Sequence, residues 1–164
     1  MNLNEQAISE KNNLLKNSKS AILSTINSDK TPNASYAPSV IDDKNYFYIY
    51  VSMLSKHTTN LIKSNKASIM IIEDEHKSEN IFARKRLTMS VNSVLINRDD
   101  KKWDSVIALM EKKFGNSITF LKDLTDFNLF KLSPTDGLLV YGFGRAFKYS
   151  GTELNKIDFL NDKV

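Results

Sequence analysis

The 164 residues are 41% hydrophobic and 26% charged, the balance of one folded domain, which excludes a disordered chain. The absence of cysteine excludes disulfides and thiolate chemistry, and with no run of about eighteen apolar residues neither a membrane span nor a signal peptide is expected, so the chain reads as cytoplasmic. A net charge of +4 and a pI near 9.1 favour an anionic ligand, though lysines scattered among Asn and Ser look more like solvated surface than a nucleic-acid stripe.

In chain order, Leu3, Ala7, Ile8, Leu14 and Leu15 recur at helical spacing and predict an opening amphipathic helix. Ser20 to Ile26 is a short β-prone segment, and the turn residues from Asn27 to Pro32 make it the first arm of a hairpin. Beyond the turn, Ala34, Tyr36, Pro38 and Val40 alternate with Ser35, Ala37 and Ser39, so one of the two sets faces a core. Pro38 cannot donate to a ladder and marks an edge or a bulge. Asp42 to Asn45 is a second turn and Tyr46 to Ser52 a third strand.

Ser55 is placed as the N-cap of a short helix through Ile62, and Ala67 to Ile72 reads as a strand. After the charged connector Glu73 to Asn80, the alternation from Ile81 to Ile96 predicts one long strand that contains Arg84-Lys85-Arg86. Trp103, Val106, Ile107, Met110 and Phe114 define a helix capped by Asp99 or Asp100 and closed by Gly115. A short helix over Ser117 to Leu124, a strand over Phe127 to Leu132, a turn over Ser133 to Gly137 and a last strand over Leu138 to Tyr149 complete the pattern. Gly142 and Gly144 interrupt that strand, as at a bulge or a close backbone approach. Short turns between strands, without βαβ alternation, predict a mainly β single domain, closed or nearly closed as an antiparallel barrel with packing helices.

Three features can carry chemistry. Ser55-Lys56-His57-Thr58-Thr59 follows a strand and opens a helix, where free N–H groups, Lys56 and the hydroxyls can hold an anion; a capped surface helix gives the same pattern. Within the predicted strand Arg84 and Arg86 are expected on one face and Lys85 on the other, so the two arginines can grip a phosphate or carboxylate, or simply guard an edge. Gly142-Phe143-Gly144-Arg145 allows a flat ligand or a partner subunit to approach, with Arg145 as a further anion contact. His57 and His76 are the only histidines, which excludes a multi-histidine metal centre within one chain, and no Gly-rich phosphate loop or nucleophile elbow is present. A nucleic-acid-binding module through Arg84-Lys85-Arg86 would show binding that weakens steeply with salt. Because the aromatic residues are spaced like core positions, a small molecule is expected as ligand instead.

Ala21 to Thr25, Pro32 to Pro38, Tyr48 to Ser52, His57 to Leu61, Ile71 to Glu75, Ile81 to Thr88 and Gly142 to Ala146 together resemble the flavin-binding split barrels related to pyridoxamine 5′-phosphate oxidase, in particular their haem-utilisation branch. The resemblance implies a six-stranded antiparallel split β-barrel over residues 1–164, with an N-terminal helix and a short C-terminal tail, paired as a homodimer with ligand pockets at the interface. It implies FMN as cofactor of an oxidoreductase, near Ser35, Tyr36, Ala37, Pro38, Ser39 and Val40, near Tyr50, Val51 and Ser52, and near Ser55, Lys56 and His57. Ser35 departs from the arginine of the pyridoxamine phosphate oxidases, which counts against pyridoxal phosphate synthesis. The alternative it implies is haem binding or haem degradation, with Arg84, Arg86 and His57 at the propionates. The tail from Thr152 to Val164 lacks the histidine that ligates iron in those relatives.

Overall fold

The computed structural model describes residues 2–160; Met1 and the last four residues of the tail lie outside the described part. Helix α1 (Leu3–Asn17) opens with a capping box between Asn2 and Glu5. It lays Ala7, Lys11 and Leu15, four residues apart, onto the sheet. Strands β1 (Ser20–Ile26), β2 (Pro32–Ile41) and β3 (Phe47–Ser52) follow as a meander, then helix α2 (Lys56–Lys63) and strand β4 (Lys66–Ile72). Strand β5 (Arg86–Ile96), helices α3 (Lys101–Phe114) and α4 (Asn116–Leu121), and strands β6 (Phe127–Val140), β7 (Ala146–Ser150) and β8 (Lys156–Phe159) complete the chain.

All neighbouring strands are antiparallel, in the order β3-β2-β1-β4-β5-β6-β7-β8. Pairing of β3 with the first half of β6, Phe47 opposite Leu132 through Ser52 opposite Phe127, closes the first six strands into a barrel. The second half of β6 leaves β3 and pairs with β7 instead, Val140 opposite Ala146. One 14-residue strand thus serves both the barrel and its split-off extension.

Two apolar cores result. The barrel core gathers Leu23, Phe47, Ile49, Ile71, Leu87 and Phe130, covered by α1 and by Leu61 of α2. The second lies outside the barrel wall, where Val106, Ile107 and Met110 of α3 meet Val40, Tyr48 and Tyr50. Each such buried side chain contributes about 1.5–3 kcal/mol, which holds α3 in place. Asp100 caps α3 through the Lys102 N–H, and Gly115 ends it at φ +63°.

The structure differs from the sequence expectation in four places. The long strand predicted from Ile81 begins only at Arg86: Ile81–Ala83 form a 3-10 turn whose Phe82 N–H is held by the Asn80 side chain. Ser133 to Gly137 is no turn but the middle of β6; the ladder shifts register there, near the pairing of Pro134 with Val91, and such an irregularity tolerates the missing proline N–H. The turn lies at Gly142 to Arg145, where Arg145 N donates to Gly142 O and Tyr141 N to Arg145 O. β8 was not foreseen at all.

Candidate functional site

Strand β2 alternates as its sequence demands. Ala37 and Ser39 are buried, Ser35 turns a buried hydroxyl inward with no partner among the described residues, and Tyr36 and Pro38 face out, Tyr36 with 62% of its surface exposed. Pro38 ends the pairing of β2 with β1, and the β3 pairing starts at Ser39, so its missing N–H leaves no ladder bond unmade. Val40 and Tyr50 belong to the second core, and Val51 to the barrel core. The Tyr50 hydroxyl receives Arg98 Nη2 at 2.9 Å, and its ring lies 5.2 Å from that of Phe127. These last three side chains therefore hold helices and barrel together.

Around the start of α2, Ser52 Oγ donates to Asp126 at 2.6 Å. Ser55 occupies the N-cap position without a capping side-chain bond. The hydroxyls of Thr58 and Thr59, expected as donors to an anion, instead donate to the carbonyls of Ser52 and Lys56 at 2.6 and 2.9 Å. A threonine hydroxyl that meets a nearby backbone carbonyl takes that acceptor, which removes both donors from the expected set. What remains is an uncapped helix start, exposed Lys56, and His57, which is only 6% exposed and whose Nε2 has no partner among the described residues. Burial lowers the His57 pKa below its ordinary value of 6.5, so the imidazole is neutral at pH 7.

The arginines gather elsewhere. Arg84 and Lys85 precede β5 rather than lie in it, so the three basic residues do not alternate across a strand. Arg84 Nε donates to Glu73 O at 2.7 Å and its Nη1 pairs with Glu75 at 3.1 Å, while Lys85 reaches Glu10 at 2.8 Å. Arg86, the first residue of β5, donates Nη1 to Arg84 O at 2.9 Å and stands opposite Val140, itself opposite Ala146. Arg86 and Arg145 therefore sit at one end of neighbouring strands. Arg145 buries its Nη1 with no partner among the described residues. Two phenylalanines flank this end: Phe82, 83% exposed, in the turn before β5, and Phe143, 72% exposed, in the turn after β6. Neither ring stands out in the sequence as a ligand contact, although large apolar side chains within turns are the signal that finds them.

The structure brings Arg84, Arg86 and Arg145 to one end and Ser55, Lys56 and His57 to another. The row Ile72, Arg86, Val140 lies two residues past Met70, which pairs with Ile22 of β1, and so stands level with the start of β1, whereas α2 packs by Asn60 against Thr25 and Asn27. Five residues of β1 separate the two levels, about 16 Å at 3.3 Å per residue. The arginine end offers unused guanidinium donors beside exposed aromatic surface, which suits a flat apolar molecule with carboxylates. The α2 start offers backbone N–H groups and one ammonium, which suits a phosphate.

Comparison with known proteins supplies the context. The family model for pyridoxamine 5′-phosphate oxidase matches residues 8–141. The chain is 42% identical over 139 residues to heme oxygenase HutZ of Vibrio cholerae, covering 85% of this chain and 77% of that protein. The crystal structure of Vibrio cholerae HutZ, described as a heme storage protein, matches with a TM-score of 0.77 at 35% identity over 82% of this chain and 96% of that one. Campylobacter jejuni ChuZ matches with a TM-score of 0.86 at 30% identity, over 96% of this chain and 63% of that one. With its six-stranded closed barrel and these matches, the chain belongs to the pyridoxamine 5′-phosphate oxidase-like split-barrel family, on its haem-utilisation branch.

Proposed function

We propose that this protein binds haem at the arginine end and serves haem-iron utilisation as a haem oxygenase-like protein. The observation that supports this most is the buried Nη1 of Arg145, without a partner among the described residues, in the turn that also carries the exposed Phe143 and at the strand end where Arg86 begins β5. A carboxylate is the acceptor that such a donor lacks, because a buried cationic donor left unpaired costs more than a neutral one. The haem propionates supply two carboxylates, and the macrocycle supplies the flat apolar face that the phenylalanines would cover. The kinship with heme oxygenase HutZ points the same way.

The working unit is proposed to be a homodimer. Tyr36, Ile22, Met70, Thr88 and Leu138 form one register row across the outer face of the sheet, with Tyr36, Ile22 and Leu138 exposed. A second copy on that row covers apolar surface and gives each site a neighbouring wall.

A flavin reading rests on the start of α2, whose uncapped N–H groups and Lys56 suit the phosphate of FMN. Absorbance separates the two. Titrating the purified protein with haemin is expected to give a saturable Soret band, and ascorbate under air is expected to bleach it with release of iron that ferrozine captures. A yellow, extractable chromophore with no Soret response would favour FMN and reject the haem reading.

A further inference from the structure

A cleft of about 470 Å³ opens between the last turns of α1, the β2–β3 turn and α3, and none of the arginines discussed above lines it. Its apolar floor is Leu15, Val40, Ile41 and Leu109. Lys16, Lys112 and Lys113 stand around that floor. Among the described residues none of the three forms an ion pair with a carboxylate. Asp42 is the single carboxylate of the lining, and its own turn holds it: Oδ1 accepts from the N–H groups of Lys44 and Tyr46, and Oδ2 from the Tyr48 hydroxyl at 2.8 Å. That leaves three ammonium groups against one carboxylate already engaged.

Lys113 is the fixed member of the set. Its Nζ donates to Ser18 O at 2.7 Å and to Ser39 O at 2.9 Å, which ties the end of α1 to β2 and leaves one of its three N–H groups over. Lys16 and Lys112 have no side-chain hydrogen bond among the described residues and are free to close on a ligand. An apolar floor with a few convergent cationic groups, in a cleft of several hundred cubic ångströms, has the composition of a small-molecule site.

From this arrangement we infer that the cleft binds an amphipathic organic anion, a carboxylate or phosphate monoester with an apolar body, separately from the haem proposed for the arginine end. The apolar body lies on Leu15, Val40, Ile41 and Leu109, and the anionic head meets Lys113, Lys16 and Lys112. Long-chain carboxylates and alkyl phosphates share this chemistry.

Displacement of 8-anilinonaphthalene-1-sulfonate fluorescence by laurate, dodecyl phosphate, dodecanol and inorganic phosphate tests the site in the full-length protein. Laurate or dodecyl phosphate is expected to displace the dye at least tenfold more effectively than dodecanol, and whichever of the two is the stronger identifies the head group. The variant with Lys16→Gln and Lys112→Gln is expected to weaken that displacement about tenfold, as loss of charge-assisted contacts does, and to leave haemin uptake unchanged. Should that double variant fold poorly, Lys112→Gln alone supplies the same comparison, with circular dichroism as the check on folding. Equal displacement by dodecanol, displacement by inorganic phosphate as strong as by the amphiphiles, or unchanged affinity in the folded variant overturns the inference. Loss of haemin uptake in the wild type with the anion preference intact would reject the haem reading and leave this one standing.

Discussion

Arg84 and Glu75 close an ion pair across the connector between β4 and β5, Nη1 to Oε1 at 3.1 Å, with the glutamate exposed and the arginine half-buried. Its own chain therefore holds Arg84, while Arg145 keeps a donor without an acceptor among the described residues. With its carboxylate this exposed, the pair is worth only about 0–1 kcal/mol, so a ligand carboxylate can compete for the guanidinium. Glu75→Gln is expected to leave the urea midpoint almost unchanged and to tighten haemin binding about two- to fivefold, read from Soret titrations. Weaker binding in that variant would contradict the assignment of Arg84 to the site.

The neutral state of His57 carries a pH signature. Its folded pKa is depressed below 6.5, so the unfolded chain binds the proton more readily, and stability is expected to fall as pH drops through 6.5 and on toward the lower folded value. His57→Gln should flatten this part of the profile. Urea unfolding at pH 7.5 and pH 5.0 checks it, and an equal loss of stability in both proteins would contradict the assignment.

Lys11 lies on the buried face of α1, 7% exposed, with Nζ 4.7 Å from the centroid of the Tyr149 ring and no ion pair with a carboxylate among the described residues. Burial lowers its pKa, so the folded state bears the cost of an ammonium that the ring face offsets only partly. Lys11→Met keeps the stem and removes the charge. It is expected to stabilise the fold by about 1 kcal/mol, and a lower urea midpoint would show that the ring contact outweighs the burial.

The turn that carries Phe143 and Arg145 depends on Gly144, which has φ +63°. Gly144→Ala places an L side chain in the left-handed region and is expected to cost about 1 kcal/mol, with weaker haemin binding as Arg145 shifts. Gly142 has no positive φ, and a Cβ there would meet only the flexible Arg145 side chain at 3.3 Å. Gly142→Ala is therefore expected to be the milder of the two in thermal melts.

Tyr36 tests the proposed homodimer. Sedimentation is expected to show twice the 18.7 kDa chain mass for the wild type, and the single-chain mass for a variant with Tyr36→Asp and Leu138→Lys. A wild type at 18.7 kDa would reject the dimer.

Most of the barrel was legible because period-two alternation and turn chemistry agree along β1, β2 and β3, and because the 3.6-residue spacing of Trp103 to Phe114 admits little but a helix. Ser133 to Gly137 misled because proline, aspartate and glycine signal a turn in isolation, whereas an irregular ladder opposite Ser90 and Val91 accommodates the same residues inside a strand. The arginine cluster was legible in content but not in geometry: alternation from Ile81 gave no sign of the Asn80-capped turn that lifts Arg84 out of β5. Thr58 and Thr59 illustrate the same limit, since sequence shows which hydroxyls exist but not which carbonyls they meet.

The most direct measurement compares haemin with haemin dimethyl ester, whose propionates are masked, against the wild type and a variant with Arg86→Gln and Arg145→Gln. If the guanidinium groups hold the propionates, the wild type prefers haemin by at least tenfold and the variant loses that preference while staying folded. Equal affinity of the wild type for both ligands, or a preference that survives in the variant, would contradict the account.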